Sequence, residues 1–97
     1  MRPSVALEAN RQAIREIVAR NRAANPRVFG SVARGDDRDG SDLDLLVDAL
    51  PGLTYADMDG LKEELEGLLG LKVDVVTEAS MRPRIRAKAM ADRKSVV

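Results

Sequence analysis

Asp42 and Asp44 stand two residues apart in DLDLLVD, and ten residues separate them from the pair Gly30-Ser31. On a strand, the Asp spacing puts both carboxylates on one face, roughly 6.5–7 Å apart at Cα. At an effective dielectric of about 20 they repel by about 2.4 kcal/mol. A divalent cation reverses the sign of that interaction. Hard Mg²⁺ takes carboxylate oxygens and keeps positions open for phosphate. A third carboxylate, Asp74, sits in LKVDVV and faces away from Val73 and Val75. If its strand lies beside the first, three carboxylates share a face, a set able to hold two metals about 3.5–4 Å apart. Taken alone, the same alternation also describes a strand whose Asp face is simply solvated.

Gly30-Ser31 closes one strand and opens a helical turn. Such a turn presents free backbone N–H groups to an anion, and glycine lets the backbone approach a phosphate closely. The Ser31 hydroxyl can donate to a phosphate oxygen, or serve only as a helix cap. Arg34, one turn on, can reach a triphosphate or stay solvated. Asp36, Asp37 and Asp39 read as solvated loop charges, and Tyr55 as a helix-start residue with an exposed edge. The full spacing, Gly-Ser, ten residues, then Asp-x-Asp, arises by chance in a chain this long roughly once in a thousand.

The rest of the composition narrows the chemistry. The 97 residues contain no Cys and no His. Disulfides, thiolate sites and imidazole catalysis are therefore excluded. Carboxylates, hydroxyls, Arg, Lys and metal ions must do any chemistry. Lys plus Arg number 16 and so do Asp plus Glu, so no global basic field draws nucleic acid. Phe29 and Tyr55 are too few for a base-stacking platform. No apolar run reaches membrane-spanning length, and the start lacks a signal peptide's apolar centre, so a soluble cytoplasmic protein is expected.

The elements that must position these residues follow from periodicity. Ser4 is expected to cap a helix to about Arg22, with Leu7, Ile14, Ile17 and Val18 on one face, ended by Asn25-Pro26. Arg27–Phe29 reads as a short strand and Ser31–Arg34 as a short helix closed by Gly35. Residues 36–41 form a polar turn. Residues 42–48 are a strand with Leu43, Leu45 and Val47 on one face, and Asp42, Asp44, Leu46 and Asp48 on the other. Thr54 and Asp57 form a capping box for a helix burying Met58, Leu61, Leu65, Leu68 and Leu69, stopped by Gly70. Residues 71–76 are a third strand. Pro83 opens a last helix over about 82–91, with Ile85, Ala89 and Met90 toward the core. The tail ADRKSVV is unassigned. The order α-β-α-β-α-β-α predicts an α+β fold, a small mixed three-stranded sheet with helices around it. The helix between the second and third strands implies a parallel crossover.

The stretch VFGSVARGDDRDGSDLDLLVD, followed by the third-strand Asp74, resembles the nucleotidyltransferases of the DNA polymerase β superfamily. At this length the chain is similar to the minimal nucleotidyltransferases (MNT), antitoxin partners of HEPN toxins, with residues 1–97 as one such domain. The resemblance implies Asp42, Asp44 and Asp74 as catalytic ligands of two Mg²⁺ ions, and Gly30, Ser31 and Arg34 as nucleotide-binding residues. It implies transfer of AMP from ATP to a hydroxyl, a Tyr by resemblance, of a HEPN toxin. Two other readings are an inactive antitoxin that masks its partner by contact, and transfer to a small molecule. The latter usually needs an added acceptor-binding domain. The basic run Arg82, Arg84, Arg86, Lys88, Arg93, Lys94 reads as a solvated face, as a dock for an acidic partner, or, least in keeping with the neutral balance, as an RNA contact. No membrane role is expected.

Overall fold

A computed structural model describes residues 1–96. Among them lie five α-helices and four strands: α1 (Pro3–Ala9), α2 (Arg11–Arg20), β1 (Ala23–Phe29), α3 (Gly30–Arg34), β2 (Leu43–Ala49), α4 (Tyr55–Leu69), β3 (Val73–Val76), α5 (Pro83–Asp92) and β4 (Lys94–Ser95). A 3₁₀ turn at Glu78–Ser80 links β3 to α5. The sheet order is β3-β2-β1-β4. β2 runs antiparallel to β1 and parallel to β3, with α4 as the crossover. The α+β expectation and the parallel crossover both stand. The strand count is corrected from three to four, because Lys94 and Ser95 pair with Val28 and Arg27. A two-residue strand carries no alternation to read. The Val96 N–H extends this edge by donating to the Pro26 carbonyl at 2.9 Å. Val97, the last residue of the unassigned tail, lies outside the described residues.

The first helix is two helices. Asn10 breaks it: its φ of −132° leaves the helical region, and its Nδ2 donates to the Ala6 carbonyl at 2.8 Å. Asn side chains compete with the backbone in this way. Ser4 does not cap. Its N–H instead donates to Asp37 Oδ2, 2.9 Å away in the loop before β2. Nor does Asn25-Pro26 end a helix. It forms a register shift inside β1 between Ala24 and Arg27. Asn25 takes a φ of +49°, which Asn tolerates, and a proline is harmless where the ladder is interrupted.

Binary patterning holds where it positions the site. Leu43, Leu45 and Val47 are fully covered and cluster with Leu61, Leu65, Ile14 and Val18 of the helices. The Thr54–Asp57 capping box closes in both directions, at 3.1 and 2.9 Å, and Gly70 ends α4 at a φ of +68°. Two apolar residues are corrected: Leu68 is 40% exposed and Ile85 51% exposed. Met58 and Met90 are only half-buried. Among the described residues no helix is long and apolar enough to cross a membrane.

Candidate active site

Three strands deliver the site at one level. Phe29, the last residue of β1, pairs with Asp44 on β2, and Asp44 pairs in turn with Asp74 on β3. Neighbouring strands lie about 4.8 Å apart, so the Asp44 and Asp74 carboxylates rise side by side from one face. Asp42 stands one residue before β2 and is half-buried, as is Asp44; Asp74 is exposed.

α3 starts at Gly30, directly after Phe29. Gly30 has a φ of +69°, and a Cβ built on it would sit 2.5 Å from Asp44 Oδ2. Both facts demand glycine: the left-handed backbone, and the contact with a carboxylate oxygen. The turn that opens α3 is thereby pressed against the acidic pair. Ser31, half-buried, follows in its first turn.

The electrostatics separate Asp44 from its neighbours on the same strand face. The Asp44 carboxyl is pushed up to about 6, by burial first, then by Asp74 and by Asp42, with Arg34 pulling the other way. Asp48, four residues on, is held below the usual range. Asn25 Nδ2 donates to it at 2.8 Å, which outweighs partial burial, and Arg27 pairs with it at 3.0 Å. One Asp of this face is thus neutralised by partners, while the other stands against like charge. Carboxylates raised by burial and by like charge in this way cluster at functional sites.

Arg34 is the only site cation expected from sequence, and the structure gives it two acids. Its Nε lies 3.4 Å from Asp36 and its Nη1 donates to Asp92 at 3.1 Å. Asp92 thus ties α5 to α3. Nothing in the tail sequence marks this role, since the partner lies 58 residues away. Asp37 is a further correction. Expected to be solvated, it is 4% exposed, accepts the Ser4 N–H, and pairs with Arg2 at 3.2 Å. It fixes the loop between α3 and β2 to the start of α1. Tyr55 is not part of the cluster. It opens α4 past the far end of β2 and is 93% exposed.

The donor chemistry of Asp42, Asp44 and Asp74 fits a hard divalent cation: oxygen ligands, and like charge that Arg34 offsets only in part. As the side chains stand, no three acidic groups among the described residues form a metal-holding cluster.

Comparison with known proteins gives a consistent relation. The sequence profile described as "Nucleotidyltransferase domain" matches residues 11–96. A chain of Methanocaldococcus jannaschii, provisionally named a protein adenylyltransferase, is 37% identical over 70 residues, covering 72% of this chain and 75% of that one. Protein adenylyltransferase MntA of Thermococcus cleftensis is 43% identical over 58 residues, 60% of this chain and 59% of its own. A solved structure described provisionally as a minimal nucleotidyltransferase superposes with a TM-score of 0.83 at 46% identity, covering 94% and 93% of the two chains. A tri-AMPylated Shewanella oneidensis HEPN toxin in complex with MNT antitoxin gives a TM-score of 0.71 at 20% identity, covering 94% of this chain and 71% of that one, a likeness of fold alone.

Proposed function

The chain belongs to the nucleotidyltransferase domain family, and from that premise we propose that it transfers AMP from ATP to a Tyr hydroxyl of a HEPN toxin, and so acts as a cytoplasmic antitoxin. Residues 1–97 act in this reading as one minimal nucleotidyltransferase domain. The observation that carries it is the convergence of Gly30 on Asp44, with Asp44 in register with Asp74. The names of the relatives and the AMPylated toxin in the solved complex support the choice of a protein acceptor.

Asp42, Asp44 and Asp74 would hold Mg²⁺; when bound, it offsets their charge and stabilises charge on the attacking and leaving oxygens. The α3 turn at Gly30-Ser31 grips the β- and γ-phosphates through backbone N–H groups and the Ser31 hydroxyl. Arg34, beside this turn, adds a charge-assisted contact by exchanging its carboxylate partners for phosphate oxygens. The acceptor oxygen attacks Pα in line. The O–Pα bond forms as the bond from Pα to the bridging oxygen breaks, and pyrophosphate leaves. The acceptor proton passes to Asp74, which is exposed to the incoming hydroxyl, directly or through water.

The test is the intact mass of a HEPN protein incubated with this chain and Mg-ATP, followed by peptide mapping. Whole AMP increments on a Tyr peptide support the reading. An unchanged mass, with stable complex formation, supports masking by contact instead.

A further inference from the structure

α5 is built unlike the other helices. Ile85, Arg86 and Ala89 share one face of α5, and Arg82 is the extended residue just before the helix starts. Ala89 is 2% exposed, whereas Ile85, on the same face one turn earlier, is half uncovered, and Arg82 and Arg86 are exposed. The surface that covers Ala89 therefore stops short of the first half of α5. All the attachments lie at the other end: Ala89 itself, the Asp92–Arg34 pair, and the pairing of β4 on β1.

The charge on this uncovered half is unbalanced. Residues 82–88 read RPRIRAK, four cations and no acid. Five other Arg side chains find carboxylates, Arg2 with Asp37, Arg11 with Glu8, Arg20 with Glu64, Arg27 with Asp48, and Arg34 with Asp36 and Asp92, while Arg15, Arg22 and Arg93 donate to Gln12 or to backbone carbonyls. The Arg82, Arg84, Arg86 and Lys88 side chains have no such partner among the described residues. Asp92, the acid within α5, is already paired with Arg34.

We propose that the uncovered start of α5, with Ile85 and Arg86 on the helix and Arg82 at its N-cap, docks an acidic, partly apolar surface of the protein acceptor. The proposal rests on the reading of a protein acceptor given above. Three observations select this occupant. The unpaired cations call for an acidic surface. An exposed Ile at their centre suits a protein interface, with an apolar centre and a charged rim, better than a phosphate backbone. The Asp92–Arg34 pair ties the helix that carries this face to α3, the helix that opens with Gly30 and Ser31.

The test measures binding separately from transfer, using a purified HEPN protein as the probe at about 0.15 M salt. Arg82→Glu/Arg86→Glu should weaken binding about tenfold or more, and higher salt should weaken the unaltered complex. Arg84→Glu/Lys88→Glu, on the outward side of the same helix, should change it by no more than roughly threefold, because these charges lie outside the proposed contact. Both should bind a non-hydrolysable Mg-ATP analogue as the unaltered chain does, and unfold at the same temperature. Arg82→Ala/Arg86→Ala, which adds no repulsion, should give an intermediate loss. Equal effects of the two Glu pairs, or no effect of either, overturn the proposal. So does a loss of nucleotide binding in the Arg82/Arg86 variant, which would assign the face to the nucleotide. Loss of RNA binding in a gel-shift assay, with protein binding intact, would assign it to nucleic acid. If the unaltered chain binds the HEPN protein without transferring AMP, the adenylylation reading fails while the docking face is still decided by affinity.

Discussion

Removing the charge of Asp44 should stabilise the metal-free protein while abolishing its activity. The Asp44 carboxyl rises from 3.8 to about 6, driven by burial, then Asp74, then Asp42. A raised folded-state value means that the protonated form is favoured by folding. Its contribution is fully present below about pH 4 and is lost as pH rises through about 6. A shift of roughly two pH units corresponds to a ceiling of about 3 kcal/mol. Asp44 is only half-buried, and solvent screening reduces that to about 1–2 kcal/mol. For a domain of this size, about 1 kcal/mol moves the melting temperature by roughly 4–8 °C. Asp44→Asn should therefore melt higher than the unaltered chain at pH 8 in EDTA, and the gain should shrink toward zero at pH 4. Thermal unfolding followed by circular dichroism across that range reads both. Equal or lower melting at pH 8, or a gain that persists at pH 4, would refute the claim that uncompensated charge is stored at this position.

Other perturbations probe the supports. Gly30→Ala should cost roughly 1–2 kcal/mol from the left-handed backbone alone, and more from the clash with Asp44 Oδ2; chemical denaturation and nucleotide affinity should fall together. Asp37→Ala should cost about 1 kcal/mol, because it removes the acceptor for the Ser4 N–H at the start of α1. Burial raises the Asp37 carboxyl, but the Ser4 N–H and Arg2 together bring it below its ordinary value. Its stabilisation is thus present above about pH 4 and should be lost as pH falls through the depressed value, a loss that Asp37→Ala should not show in acid melts. Arg34→Ala should raise the KM for ATP about tenfold with a smaller change in kcat, if its charge serves nucleotide binding rather than the chemical step.

The parts of the molecule that were legible in sequence are those set by local rules. The alternation of Leu43, Leu45 and Val47 against Asp42 and Asp44 fixes the face of β2, and one buried face leaves no freedom of register. The Thr54–Asp57 box and Gly70 bound α4 by chemistry contained within a few residues. What stayed hidden depends on distant partners. Asp37 looked solvated because Arg2 and Ser4, its partners, lie more than thirty residues away. Asp92 reaches Arg34 only after the chain has crossed the sheet. β4 is too short to show a period, and Asn25-Pro26 was ambiguous between a helix stop and an irregularity within a strand. Ile85 and Leu68 carry a core-like type at surface positions, which sequence cannot distinguish from burial.

The central claim is nucleotidyl transfer at the Gly30–Asp44–Asp74 cluster, and the position of a labelled phosphate tests it most directly. A HEPN protein is incubated with this chain, Mg²⁺, and ATP labelled either at the α- or at the γ-phosphate. Label should enter the HEPN protein from the α position only, and Asp44→Asn should abolish it while leaving the complex intact. Label from the γ position, or α label that survives Asp44→Asn, would contradict the account.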